Sequence, residues 1–215
     1  MNIFRLTADL MHLMSIFILL AKIQTSKSCV GISFKTQLLY AIVFMTRYLD
    51  LAVHYYSLYN TCMKIFFIVS SVYILYLMKV KFRASYDTSL DTFRFEFLVL
   101  FAVVLGLATA YKYTPLEVFW SFSIWLESVA IMPQLYMLQQ TGEAETITTH
   151  YLFALGAYRA LYLFNWIYRY STEKNYTDWI AWVAGFIQTL LYSDFFYVYY
   201  QKVVKGRKLE LSGIV

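Results

Sequence analysis

The residue types that build linkers, disulfide frameworks and soluble surfaces are scarce in this sequence. Of its 215 residues, two are cysteine, two are proline and seven are glycine, and only 14% carry a charged side chain. So few prolines and glycines leave no linker or low-complexity tract, and two cysteines allow at most one disulfide. So small a charged fraction excludes a soluble domain of this length.

Apolar residues take up most of the chain. Hydrophobic residues make up 60% of the sequence and aromatic residues 20%, and the mean hydropathy is +0.55. Runs long enough to cross a bilayer occur at 4–21, 34–54, 60–78, 95–111, 115–138, 150–170 and 178–200. The sequence therefore predicts an all-α membrane protein with seven transmembrane helices, in which residues 1–200 form one bundle and residues 201–215 a cytosolic tail.

Lysine and arginine in the short connections indicate the orientation of these helices, because such residues are retained on the cytosolic side. They flank the first and third connections and recur in the tail, at Lys22, Lys27, Lys35, Lys79, Lys81, Arg83, Arg94, Lys202, Lys205, Arg207 and Lys208. The N-terminus is therefore predicted to be lumenal, and the first helix to remain as a signal anchor. Cys29 and Cys62 then lie at opposite ends of the bundle, which excludes a disulfide between them.

Ionisable residues interrupt the apolar runs, although an unpaired arginine in hydrocarbon costs between roughly 3 and 17 kcal/mol. Arg159 lies near the middle of the run 150–170, and Tyr162, Trp166 and Arg169 share its sector of the helix. Such charges must face acidic partners, a wet cavity or an anionic ligand. This face of the helix is therefore predicted to form one wall of a polar pocket.

Four other runs contribute charged or polar residues to the same predicted cavity, at Arg5, Asp9, His12, Arg47, Asp50, His54, Glu117, Trp120, Glu127 and Asp194. Several of them also have a purely structural interpretation. Arg5 and Arg169 could lie at the membrane interface, Arg47 and Asp50 could form a closed pair, and His12 could be a hydrogen-bonded core histidine. Four arginines together nevertheless favour an anion-binding site.

A Pro-Gln dipeptide, Pro133-Gln134, lies in the second half of the run 115–138. It resembles the PQ-loop and SWEET transporters, in which two parallel three-helix repeats flank a linker helix. Helices one to three and five to seven would be the repeats here. A small-molecule transporter is therefore an alternative function, although four arginines suit an uncharged sugar poorly.

An intramembrane enzyme has less support. No metal-ligand cluster or nucleophile elbow is visible, and Glu117 with Glu127 alone specifies no reaction. We therefore expect no enzymatic activity, no cofactor or metal, and no nucleic-acid partner.

A more specific resemblance extends from Met1 to about Lys208. It is carried by motifs at Arg47-Tyr48-Leu49-Asp50-Leu51, Leu126-Glu127-Ser128-Val129-Ala130, Pro133-Gln134-Leu135, residues 141–156 (TGEAETITTHYLFALG), Tyr158-Arg159-Ala160-Leu161-Tyr162 and Asp194-Phe195-Phe196-Tyr197. In these motifs the sequence resembles the KDEL receptors, the receptors that retain lumenal proteins of the endoplasmic reticulum.

That resemblance implies a cargo receptor of the endoplasmic reticulum, the Golgi and COPI vesicles. Such a receptor binds the C-terminal K-D-E-L signal of soluble lumenal proteins in the acidic Golgi, returns them in COPI vesicles and releases them at neutral pH. Its partners would be K-D-E-L-like peptides, the COPI coat, protons and membrane lipid.

The resemblance also assigns ligand contacts. Arg47 matches the position that binds the terminal carboxylate of the signal, with Arg159 nearby, and Arg5 and Arg169 match the positions that bind its Glu and its Asp. Glu117 matches the acidic contact to the basic first residue of the signal. Guanidinium groups suit carboxylates because they can bind them with two hydrogen bonds. The other matching wall residues are Tyr48, Asp50, Trp120, Tyr162, Asn165 and Trp166.

His54 departs from the family pattern, which has a small polar residue at this position in contact with the ligand. We expect His54 at the mouth of the pocket, where it could shift ligand preference or add a second titrating group.

Two further groups of residues match family positions with other roles. His12, Glu127 and Tyr158 match the pH-sensing group. Histidine has an unperturbed pKa of about 6.5, which lies between the pH of a neutral compartment and the pH of a mildly acidic one. Asp194 matches a position needed for return transport. The tail resembles the family's coat signal at Lys202, Lys205, Gly206, Arg207 and Lys208, although a simple positive-inside anchor is the alternative.

Overall fold

All regular secondary structure is helical in the residues that the computed structural model describes, which are 2–141, 146–174 and 176–200. The α-helices are α1 (Ile3–Ser26), α2 (Phe34–Arg47), α3 (Leu58–Tyr76), α4 (Glu96–Thr109), α5 (Pro115–Val129), α6 (Met132–Thr141), α7 (Thr146–Thr172) and α8 (Trp179–Tyr199). Short 3₁₀ turns lie at Leu49–Ala52 and Arg83–Ser85, and a π-helical turn at Leu77–Lys81 continues α3. The predicted all-α fold is confirmed.

The predicted run 115–138 is not one helix. Helix α5 ends at Val129 and α6 begins at Met132, so that Pro133 lies in the first turn of α6. Proline has no backbone N–H, and its ring is tolerated in the first turn of a helix but breaks a helix interior. The described residues thus form eight α-helices where we predicted seven, and the count of seven is not confirmed.

Two helical segments in the described part of the chain are individually long and apolar enough to cross a membrane, Ile3–Ser26 and Leu58–Lys81. Helix α4 is apolar but shorter. Large apolar side chains such as Phe17, Val69 and Leu100 are exposed on these helices, as expected of helices that contact lipid. The remaining transmembrane helices stay a prediction.

The chain divides into two compact units, and unit 1 falls within residues 1–31 and 136–215. In this unit α7 packs against both α1 and α8. Apolar residues such as Leu19, Ile23, Leu152 and Ile180 are buried in its core. Gly185 permits the close approach of α8, because a Cβ atom there would lie 2.4 Å from the indole ring of Trp166.

Lys22, which flanks the first predicted connection, is buried within α1 of unit 1. Helix α1 continues to Ser26, and Lys22 is only 3% exposed. Its Nζ atom donates to the carbonyl of Val30 at 2.6 Å and to the hydroxyl of Thr148 at 2.9 Å. These bonds offset the cost of burying an ammonium group.

Unit 2 comprises Ile32–Leu135. Helix α5 packs against α2 and α4, and α2 also packs against α3. Two buried side chains hold the start of α2: the amide oxygen of Gln134 accepts from the N–H of Ser33 at 2.8 Å, and the Asp91 carboxylate accepts from the Ser33 hydroxyl at 2.9 Å. Gln134 and Asp91 thus hold Ser33, the residue whose hydroxyl caps α2 by accepting from the N–H of Thr36.

Candidate functional site

Unit 2 contains a cavity of about 470 Å³ where α2 ends and α5 begins. Its lining consists of Arg47, Leu49, Asp50, His54, Tyr56, Thr114, Leu116, Glu117 and Trp120. The cavity therefore brings together five of the predicted site residues, Arg47, Asp50, His54, Glu117 and Trp120. It combines one guanidinium group with two carboxylates.

Arg47, the last residue of α2, is held by α5. Its Nη1 atom lies 2.6 Å from Oε2 of Glu127, whose side chain is only 1% exposed. Its Nε and Nη2 atoms donate to the hydroxyl and the carbonyl of Ser123 at 3.1 and 3.0 Å. Arg47 thus pairs with Glu127 and not with Asp50, which corrects the closed Arg47–Asp50 pair considered above.

Asp50 pairs instead with Lys64 of α3, whose Nζ lies 2.6 Å from Oδ2 of Asp50. The Oδ1 atom of Asp50 is buried and accepts no hydrogen bond from the described residues. Lys64 also lies over the ring of Tyr48, at 5.8 Å. Tyr48 stacks on Phe44 with ring centroids 6.0 Å apart, and within unit 2 it is not among the residues that line the cavity.

His54 and Glu117 reach the cavity from two different segments of the chain. The backbone N–H of His54 donates to the carbonyl of Asp50 at 2.7 Å, and its ring meets the edge of Tyr56. Glu117 lies in the first turn of α5, two residues after Pro115 at the helix start. The N-terminus of a helix stabilises a carboxylate there through its dipole.

Unit 1 carries a second group of predicted site residues on the facing sides of α1 and α7. The Tyr162 hydroxyl donates a short hydrogen bond to the Asp9 carboxylate. The same carboxylate lies 3.9 Å from Nε of Arg5. Asp9 therefore connects two residues that were predicted to contact the ligand, although it was not itself among the predicted contacts.

His12 lies one turn further along α1. Its ring stacks on the ring of Tyr158 with centroids 4.1 Å apart and planes 4° apart, and it is only 7% exposed. Arg159 is 5% exposed, and its Nη2 donates to the Tyr158 hydroxyl at 3.3 Å. Two residues of the predicted pH-sensing group are thus in contact, while Glu127 belongs to unit 2 and pairs there with Arg47. The role of the group stays a prediction.

The remaining α7 residues of the predicted site also have partners in unit 1. The Asn165 side chain accepts from the amide of Asn2 at 2.8 Å, and Asn2 also caps α1. Trp166 is buried against Gly185. Arg169 binds Glu173 through two of its nitrogens, with Nη2 2.8 Å from Oε2. These hydrogen bonds hold the pKa of the Glu173 carboxyl below its usual range.

Of the predicted recycling residues, the structure describes only Asp194. Asp194 is exposed on α8. The coat-signal residues lie outside the described residues: Lys202, Lys205, Gly206, Arg207 and Lys208. Among the residues that are described, no group of histidine, cysteine and carboxylate side chains could hold a metal ion.

Sequence reasoning missed several partners of the site, namely Asn2, Lys64, Ser123 and Glu173. For one of them a signal was available, because Glu173 follows Arg169 by four residues, the spacing of neighbours on a helix. Lys64 and Ser123 come from other helices than the residues they bind, and no local pattern indicates them.

Comparison with known proteins gives a consistent result. The family model described as "ER lumen protein retaining receptor" matches residues 28–169. The chain is 60% identical over 213 residues to ER lumen protein-retaining receptor 2 of Danio rerio, covering 99% of this chain and 100% of that protein. The same protein of Xenopus tropicalis is also 60% identical over 213 residues, and the ER lumen protein-retaining receptor of Drosophila melanogaster is 57% identical over 213 residues, with the same coverage.

Proposed function

Because the chain belongs to the family of ER lumen protein retaining receptors, we propose that it captures soluble proteins of the endoplasmic reticulum by a C-terminal K-D-E-L-like signal. The observation that carries this proposal is the cavity of unit 2, in which Arg47 lies together with Asp50 and Glu117. A signal that ends in a carboxylate and begins with a lysine needs one cationic and one acidic contact. Four extended residues span at most about 14 Å, so the cationic and the acidic contact must lie within about that distance of each other.

Internal ion pairs support the role of the arginines. Arg47 pairs with Glu127, Arg5 lies near Asp9, and Arg169 pairs with Glu173. Three of the four predicted ligand arginines thus already have a carboxylate partner within their own unit. The K-D-E-L signal also offers three carboxylates, on its Asp, its Glu and its terminus, and guanidinium groups prefer such partners.

Binding in an acidic compartment and release in a neutral one are part of the proposal, with His12 as the sensor. His12 stacks on Tyr158, and among the described residues of unit 1 the charged or titratable groups linked to this stack or to the same helix faces include Asp9 and Arg5 on α1, and Arg159 and Tyr162 on α7. Protonation of the ring adds a positive charge beside this face, which favours a ligand of net negative charge. The ligand must then bind more weakly when the proton leaves.

The proposal also includes the transport cycle. We place the protein in endoplasmic reticulum and Golgi membranes and in COPI vesicles, with a lumenal N-terminus and seven transmembrane helices in the PQ-loop and SWEET arrangement. Residues 201–215 would be the cytosolic tail that binds the coat through Lys202, Lys205 and Lys208. The basic connections of the sequence support this orientation.

Capture by an immobilised peptide tests the proposed function. We expect the full-length protein in mild detergent to bind a peptide that ends in Lys-Asp-Glu-Leu at mildly acidic pH and to leave it at neutral pH. An amidated peptide should not bind, because it lacks the terminal carboxylate. Arg47→Ala should abolish capture, whereas Arg94→Ala, which removes an exposed arginine outside the site, should not. Equal capture of the amidated peptide would refute the proposal.

A further inference from the structure

Arg169 has one edge and one face of its guanidinium group occupied. Its Nε atom donates to Oε1 of Glu173 at 2.9 Å and its Nη2 atom to Oε2 at 2.8 Å. The ring of Tyr176 covers the face of the group, with the ring centroid 3.7 Å from Cζ. The Nη1 atom makes no hydrogen bond with any residue that the structure describes.

The end of α7 and the turn after it produce this arrangement. Glu173 follows Arg169 by four residues, and its backbone N–H donates to the carbonyl of Arg169 at 2.8 Å, so the helical spacing persists beyond Thr172. Asp178 caps α8. Tyr176, two residues before this cap, lies against the ring of Trp182, with ring centroids 6.4 Å apart. The ring is thereby braced by α8 where it covers the guanidinium group.

We propose that Glu173 and Tyr176 are positioning residues, which fix Arg169 so that its Nη1 end is presented to the aspartate carboxylate of the K-D-E-L signal. This inference rests on the proposed function. A free arginine side chain loses many rotamers when it binds, and restraint before binding reduces that loss. The stacked ring and the bidentate carboxylate together restrain both the plane and the rotation of the group.

Glu173 could instead compete with the ligand for Arg169, and two observations argue for positioning. Glu173 uses the Nε edge of the guanidinium group, so a second carboxylate can still reach Nη1. The two side chains are also 34% and 48% exposed, and exposed ion pairs are weak because solvent screens them. Glu173 therefore orients the arginine while solvent limits how much it offsets the positive charge.

The two roles predict opposite changes in affinity. We expect Glu173→Ala to weaken the binding of a peptide ending in Lys-Asp-Glu-Leu by about three- to fivefold. The affinity for a peptide ending in Lys-Asn-Glu-Leu, which lacks the aspartate carboxylate, should not change. Tyr176→Phe should bind as the unmodified protein does, and Tyr176→Ala should weaken binding as Glu173→Ala does. Glu96→Ala, which removes an exposed carboxylate in α4, is the charge-matched control. Tighter binding after Glu173→Ala, or an equal loss for both peptides, would overturn the proposal.

A measurement without peptide separates this inference from the proposed function. In protein labelled with ¹⁵N-arginine, the Nε–H signal of Arg169, assigned by its loss in Arg169→Lys, should be protected from exchange and should lose that protection in Glu173→Ala. An unchanged signal would overturn the positioning role whether or not any peptide binds. Failure of the unmodified protein to bind either peptide, with the signal behaving as expected, would refute the proposed function alone.

Discussion

The guanidinium group of Arg47 and the carboxylate of Glu127 meet at 2.6 Å where Glu127 is almost fully buried. Neither charge can be removed alone without leaving the other in a medium of low polarity, which costs on the order of 3–5 kcal/mol. This pair therefore links the stability of unit 2 to the residue that is proposed to bind the terminal carboxylate of the ligand.

Arg47→Ala should lower the free energy of unfolding by about 3–5 kcal/mol and abolish peptide binding, because it removes the guanidinium group that pairs with the buried carboxylate at 2.6 Å. The double variant Arg47→Ala/Glu127→Gln should regain most of the stability but none of the binding. Thermal unfolding in detergent, followed by tryptophan fluorescence, measures the first effect, and peptide titration measures the second. A double variant as unstable as Arg47→Ala would show that the pair does not account for the loss.

His12→Phe should remove the dependence of binding on pH. Phenylalanine retains a flat ring for the stack on Tyr158 but cannot be protonated, so binding at acidic pH should fall to the level at neutral pH. Peptide titration at both pH values measures this. Release that still depends on pH in the variant would mean that another group is the sensor.

Glu173→Gln should leave the pH dependence intact. Hydrogen bonds from Arg169 hold the pKa of Glu173 below its ordinary value of 4.5. A depressed carboxyl pKa means that the stabilisation by the ion pair is present above the ordinary value and is lost only as the pH falls through the lower folded value. Glu173 therefore stays ionised in both compartments, and the binding curves of Glu173→Gln against pH should be parallel to those of the unmodified protein. Converging curves would assign part of the pH response to Glu173.

Gly185→Ala should weaken peptide binding and also lower the free energy of unfolding. A Cβ atom at this position would lie 2.4 Å from the indole of Trp166 and 3.5 Å from Cδ of Arg159, so the indole must move. Because the indole is a rigid ring that is buried in unit 1, we expect a stability loss of about 1–3 kcal/mol together with a clear loss of affinity.

Gly106→Ala provides the contrast for that prediction. Its Cβ atom would lie 2.8 Å from the backbone Cα of Phe122, which cannot move without separating α4 from α5. It should therefore lower the free energy of unfolding by about 1–3 kcal/mol without a selective effect on binding. Equal behaviour of the two variants would mean that the position of Trp166 does not matter for the ligand.

The sequence allowed the composition of the site to be predicted better than its pairings. The α7 residues could be placed on one face because they recur at helical spacing, and Tyr158, Tyr162 and Trp166 do form successive ring contacts there. The partner of Arg47 could not be predicted, since Glu127 is 80 residues away and the contact depends on how α2 packs against α5.

The break between α5 and α6 was missed for a different reason. Transmembrane helices often tolerate an internal proline, so Pro133 alone did not indicate where the helix would end. The decisive partner, Ser33 at the start of α2, lies 101 residues before Gln134. The burial of Lys22 could not be predicted for the same reason, because its hydrogen bond to Thr148 spans 126 residues. Long-range contacts of this kind carry no local periodic signal.

The division of the chain into a continuous and a discontinuous unit has a consequence for synthesis at the ribosome. All of unit 2 is contained in Ile32–Leu135, whereas α1 packs against α7, which begins about 120 residues after α1 ends. At about 5–20 residues per second, α1 must remain in the translocation machinery or the lipid for roughly 6–24 s before its partner is made. During that interval Asp9 and His12 lack the tyrosines of α7 that contact them in the folded protein. We therefore expect the first helix to need a transient partner for these two polar side chains until α7 is made.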